Sequence, residues 1–99
     1  MAAYFVIDLT VTDPEKIAEY ARRAEPIVTQ YGGRFLVRGG EAAVIEGEWR
    51  PDLFVLIEFP DIAAIRRFHG SEEFRPLKPL RWEGAITNIA AAVEGIAAF

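Results

Sequence analysis

Few side chains in this sequence have the chemistry to hold or transform a small molecule, and they fall in or beside short apolar segments. Arg34 and Arg38 flank Leu36 in the run Arg34-Phe35-Leu36-Val37-Arg38. Strand alternation places both on one face, and a guanidinium is a rigid, forked donor suited to a carboxylate or a phosphate. Glu58 and Asp8 occupy matching faces of two other apolar runs, so an Arg38–Glu58 pair is expected across neighbouring strands. Two readings of this set stand side by side. It is a salt bridge that locks a sheet, or it is a polar cluster turned toward a ligand. A carboxylate enclosed by apolar groups titrates high and can serve as a base, which makes Glu58 a candidate base.

His69 is the sole histidine. It is the second candidate general base, since imidazole changes charge near neutrality. The competing reading is an exposed residue at a helix C-terminus, where its cation would interact well with the helix dipole. One histidine and scattered carboxylates are too few good ligands for a metal, so no metal, haem or other cofactor is expected. Trp49, in a turn before Pro51, suits a lid over a pocket or an anchor in an interface. Arg81, beside Trp82, suits a pocket entrance. The candidate ligand-binding set is therefore Asp8, Arg34, Arg38, Trp49, Glu58 and Arg81. Tyr20 and Tyr31 fall on an apolar helix face and read as core. Ser71, the only serine, reads as a helix cap rather than a nucleophile, and the pairs Gly32-Gly33 and Gly39-Gly40 lack the Lys-Ser/Thr of a phosphate loop.

The bulk composition limits what these residues can serve. With 99 residues, 52% hydrophobic and 26% charged, the chain has a globular composition and the size of one domain over residues 1–99. A chain this short buries only about two-thirds of its unfolded surface, and its apolar content suggests a second surface buried between subunits. The net charge of −4 argues against nucleic acid and anionic membranes, which need clustered cations. The absence of cysteine removes disulfides and thiolate chemistry. No run approaches the roughly 18 apolar residues of a membrane span, and Met1-Ala2-Ala3-Tyr4 lacks the basic region of a signal peptide. A cytoplasmic location is the expectation.

The elements that must position these residues are legible from pattern. Tyr4 to Val11 is rich in aromatic and β-branched residues and reads as a strand. Asp13-Pro14 opens a helix whose apolar positions Ile17, Tyr20, Ala21, Ala24, Ile27, Val28 and Tyr31 follow helical spacing. Pro26 is expected to kink or split it, and Gly32-Gly33 to end it with a left-handed cap. Arg34 to Arg38 is a strand, Ala42 to Glu46 a short strand able to form a hairpin with it, and Gly47 to Pro51 a turn. Leu53 to Phe59 is the most strand-like run. Pro60-Asp61 starts a second helix ending at His69-Gly70, Ser71 to about Leu77 forms a further short helix with Phe74 inward, and Ile86 to Glu94 is the last strand. The order gives an α+β fold of ferredoxin-like βαββαβ type, an antiparallel sheet with helices on one face. The other face is mixed: Tyr4, Val6, Asp8 and Thr10 on the first strand, Phe54, Leu56 and Glu58 on the third. Pairing two such faces into a barrel would resolve the exposed apolar surface and enclose the polar members in a cavity.

Several blocks also carry a resemblance. Tyr31-Gly32-Gly33-Arg34-Phe35-Leu36-Val37-Arg38-Gly39-Gly40, Glu46-Gly47-Glu48-Trp49-Arg50-Pro51, Ile57-Glu58-Phe59-Pro60 and Ser71-Glu72-Glu73-Phe74 resemble, in order and spacing, the signature of a bacterial family described as domain of unknown function 1330. The resemblance spans nearly the whole chain. It departs at Phe68-His69, where relatives often carry Trp-Tyr or Phe-Tyr. It implies a dimeric α+β barrel of the ferredoxin-like class, hence a homodimer, and it implies no activity. Three functional readings remain: a module binding a small organic, anionic or aromatic molecule in a cavity on the sheet face; a cofactor-free enzyme of monooxygenase or isomerase type acting on a small organic acid; and a purely structural dimer.

Overall fold

The computed structural model describes residues 1–96. Four strands form one antiparallel sheet in the order β2-β3-β1-β4. They are β1 (Ala3–Val11), β2 (Arg34–Arg38), β3 (Leu53–Phe59) and β4 (Ala85–Glu94). Helix α1 (Pro14–Gln30) joins β1 to β2, while α2 (Ile62–His69), a 3₁₀ turn (Arg75–Leu77) and α3 (Lys78–Gly84) join β3 to β4. The result is the expected ferredoxin-like α+β arrangement. Among the described residues no helix is long and apolar enough to cross a membrane.

Alternation along β1 and β3 decides where the core sits. Phe5, Ile7, Leu9, Val55, Ile57 and Phe59 are buried together with Ile17, Ala24 and Val28 of α1 and Ile65 and Phe68 of α2. All helices therefore cover this face of the sheet. The opposite face carries Tyr4, Val6 and Asp8 beside Glu58, Leu56 and Phe54 in direct register, with Ile86, Ile89 and Val93 of β4 exposed.

Local chemistry fixes the helix ends. Asp13 accepts a hydrogen bond from the Lys16 amide at 3.3 Å, and Asp61 accepts one from the Ala64 amide at 2.8 Å, each satisfying an otherwise unpaired donor. After α1, Gly32 takes φ +86° and Gly33 N–H donates to the Val28 carbonyl at 2.9 Å, the left-handed termination that glycine makes inexpensive.

Three sequence expectations are corrected. Helix α1 is not split at Pro26 but continues through it. The carbonyl that Pro26 leaves without its amide partner belongs to Arg22, and both residues are exposed, so water can serve it. Residues 42–46 form no strand. The outer edge of β2 stays without a partner strand among the described residues, because Gly39, at φ +70°, turns the chain away from it. The short helix expected from Ser71 to about Leu77 is a turn over 72–74 that runs into the 3₁₀ turn Arg75–Leu77. Ser71 caps it, its Oγ accepting from the Phe74 amide at 3.2 Å, Phe74 is buried as expected, and α3 follows. Pro76 and Pro79 each lie in a first helical turn, where a missing N–H costs little.

Candidate functional site

A cavity of about 340 Å³ lies between the inner face of α1 and the helix-covered face of the sheet. Ala18, Ala21 and Ala24 of α1 form one wall, and Ile7, Leu9, Val55 and Ile57 of the sheet form the other. Phe35, Leu53 and Phe68 contribute further apolar surface. Small residues three apart keep α1 from filling the space. Tyr20 and Arg38 are the lining residues with polar side chains, yet the surface they and their neighbours expose to the cavity is wholly apolar.

The sequence-derived candidates separate into two groups on opposite faces of the sheet. Arg34, Glu58, Asp8 and Trp49 belong to the face without helices. Arg34 Nε donates to Glu58 Oε1 at 2.8 Å, and the Tyr4 hydroxyl donates to Glu58 Oε2 at 3.3 Å, so three strands are tied side by side. The Trp49 indole packs edge-on against Phe54, with ring centroids 5.4 Å apart, and its N–H donates to Asp8 Oδ2 at 3.0 Å. Asp8 is only 9% exposed. Its Oδ1 has no hydrogen-bond partner among the described residues.

Arg38 lies on the other face, which corrects two expectations. It does not share a face with Arg34, and it does not pair with Glu58. The β2–β3 register shifts between Phe35 and Val37. A bulge of this kind inserts one residue, here Leu36, and reverses the alternation beyond it. Arg38 therefore turns toward α1, where it donates to Glu25 at 2.8 Å and its guanidinium stands 4.6 Å from the Phe35 ring centroid.

His69 is half-buried rather than exposed, with its ring 6.2 Å from Phe5 and 5.8 Å from Phe74. It faces a second, more open recess lined by Phe5, Ile65, Ala90 and Ala92. Burial pushes its pKa below the usual imidazole value, and the cations of Lys78 and Arg81 push it the same way. Arg81 does not frame an entrance; it is buried, at 3% exposure. Tyr20 is pushed up by burial, with the nearby Arg81 charge acting against that shift. Among the described residues no cluster of three or more metal-ligating side chains occurs.

Comparison with known proteins places this geometry. The sequence model described as domain of unknown function (DUF1330) matches residues 2–96. The chain belongs to the DUF1330 family. No curated protein matches it. Among solved structures, this DUF1330 protein is similar to RPA0582, a protein of unknown function from Rhodopseudomonas palustris, with a TM-score of 0.77 and 16% identity over 98% of this chain and 84% of that one. It is also similar to SnoaB, a cofactor-independent oxygenase from Streptomyces nogalater, with a TM-score of 0.67 and 16% identity over 98% and 95% of the two chains. An antibiotic biosynthesis monooxygenase gives a TM-score of 0.56 and 22% identity over 98% and 100%. At these identities the likeness is one of fold.

Tyr20 and the alanines of α1 are the site residues that pattern reading took for core alone. The signal was present: Ala18, Ala21 and Ala24 recur every third residue on the face that must meet a sheet of large side chains. Such a stripe leaves space unless larger residues opposite fill it.

Proposed function

We propose that this DUF1330 protein is a cytoplasmic homodimer that binds a small, predominantly apolar or aromatic molecule in the cavity between α1 and the sheet. The cavity itself is the observation that carries the reading. Its volume of about 340 Å³ falls at the lower end of the range for small-molecule sites, which are mostly apolar with few polar groups. Homodimer formation is supported by the exposed apolar side chains of the helix-free face, including Val37, Ile86, Ile89 and Val93, which a second copy would cover.

One observation favours a catalytic alternative, a cofactor-free monooxygenase or isomerase acting on a small organic acid: the likeness of fold to SnoaB. Fold likeness alone is weak warrant for activity. Of the two candidate bases, Glu58 lies across the sheet and His69 faces the other recess, so neither lines the cavity. Binding is therefore the leading reading.

Native mass spectrometry of gently purified protein, with Ala21→Leu as control, tests it. Wild type is expected as a dimer that retains an extra small-molecule mass or gains one from 3-phenylpropan-1-ol. Ala21→Leu, with its cavity filled, is expected to carry neither. Equal loading of the variant would contradict the proposed site, and a monomer would contradict the dimer.

A further inference from the structure

The cations of this chain divide along the sequence. Of the six Lys and Arg residues up to Arg50, five are in ion pairs: Lys16, Arg22, Arg23, Arg34 and Arg38. Between Arg66 and Arg81 the chain carries five more, and none of them is in an ion pair among the described residues. Only two carboxylates, Glu72 and Glu73, accompany them in that stretch, and Glu73 accepts from the Tyr31 hydroxyl at 2.8 Å. A protein of net charge −4 thus keeps a local excess of positive charge, which favours an anion there.

The recess beside α2, about 280 Å³ in volume, is where this charge meets an apolar surface. Arg66 and His69 line it together with Phe5, Ile65, Ala90 and Ala92, and no carboxylate does. Ala90 and Ala92 pair in register with Ile7 and Phe5 and so share the face that carries the core, yet both are exposed. β4 is an edge strand, and the helices stop short of it here. The His69 ring stands edge-on to Phe5, with centroids 6.2 Å apart and planes at 80°. Two perpendicular rings beside two alanines leave an apolar corner open at the sheet edge. Arg66 is exposed and so lies at the rim. Lys78 and Arg81 are the charges acting on His69, and no carboxylate is among them. Glu94 follows Ala92 on the same strand face but is not part of the lining. The C-terminal end of α2 adds only a partial negative charge.

We propose that this recess is a second ligand site, separate from the α1 cavity, and that it takes a small aromatic carboxylate. The ring packs against Phe5, Ile65, Ala90 and Ala92, and the carboxylate accepts from the Arg66 guanidinium at the rim and from the His69 imidazole. A planar, forked guanidinium suits a carboxylate, and an apolar corner edged by cations selects a ligand that has both a ring and a charge. The volume lies just below the span of drug-sized sites, which suits a one-ring ligand. This site stands independently of the cavity reading.

His69 is the sole histidine, so its ring resonances report on the recess without ambiguity. NMR titration with benzoate and its neutral counterpart benzyl alcohol tests the site in wild type, Arg66→Gln and Arg66→Lys. Benzoate is expected to shift the His69 ring and the Ile65, Gly70, Ala90 and Ala92 amides of wild type saturably. Its affinity at the recess is expected to exceed that of benzyl alcohol at least about ten-fold, the scale of a charge-assisted hydrogen bond. Arg66 is exposed and in no ion pair, so Arg66→Gln is expected to fold as wild type does and to lose most of that preference, with Arg66→Lys keeping part of it. Saturation with benzoate is also expected to raise the His69 pKa, since a bound anion favours the imidazolium. Equal affinities, an undiminished preference in Arg66→Gln, or a His69 ring that does not respond would overturn the site. Benzoate shifts confined to Tyr20, Ala21 and Ala24 would also overturn it, and would leave the cavity reading standing.

Discussion

His69 carries a distinct pH signature at the scale of single residues. Its imidazole is held below the ordinary value of 6.5 by burial and by the Lys78 and Arg81 cations. The unfolded chain therefore takes up a proton first as pH falls, and uptake by the unfolded state lowers stability. This contribution is absent above about pH 7, where both states are neutral, and grows as pH drops below 6.5 until the folded imidazole also protonates. We expect His69→Gln to flatten the pH dependence of urea-unfolding stability between pH 7 and 5 relative to wild type. An unchanged slope in the variant would show that other groups govern it. The same residue shows the limits of sequence reading at this scale. Its type and its helix-terminal position were legible, but its half-burial against Phe5 and Phe74 depends on tertiary packing. Arg34 and Arg38 teach a related lesson: one inserted residue at Leu36 sends two similar side chains to opposite faces, and nothing in the residue types announces it.

Elements set the shape of the cavity, and α1 is the decisive one. Its distance from the sheet is controlled at its C-terminal end by Gly33, where an added Cβ would lie 2.7 Å from Val28 Cγ1 and 2.8 Å from Phe59 Cζ. Phe59 and Val28 are both almost wholly buried and have little room to retreat, so Gly33→Ala should force helix and strand apart. A loss of about 1–3 kcal/mol is expected, the range for overpacked cores, measured by chemical denaturation; a neutral substitution would mean that this junction is more compliant than its packing indicates. At its other end α1 is held by α3. The Gly84 carbonyl accepts from the Thr12 and Asp13 amides at 2.9 and 3.0 Å, and Lys16 pairs with Glu83 at 2.9 Å. The principal strands and the first two helices were readable from alternation, helical spacing and caps, because those signals are local. Helix α3 was not, because prolines at its start resemble breakers until the chain before it is seen to turn. The β2–β3 connection was misread for the opposite reason: Ala42 to Glu46 has apolar content, but the turn at Gly39, with φ +70°, takes the chain away from the open edge of β2.

For the whole molecule, the two faces of the sheet have different tasks in this account. The helix-covered face holds the core, the cavity and the buried Arg81. The open face holds Tyr4, Glu58 and Arg34 in one hydrogen-bonded row, Asp8 beneath Trp49, and the apolar side chains proposed to meet a second copy. Sequence reasoning identified the mixed character of the open face and placed the ligand there, since that is where charged residues collect. The cavity on the other side announces itself through small residues and absent polar groups, a much quieter signal. Which face receives the ligand is therefore the central question, and amide NMR shifts on titration with 3-phenylpropan-1-ol answer it most directly. The account predicts saturable shifts centred on Tyr20, Ala21 and Ala24 of α1 and on Val55 and Ile57 of β3. Shifts centred instead around Trp49, Ile86 and Ile89, or none that saturate, would contradict it.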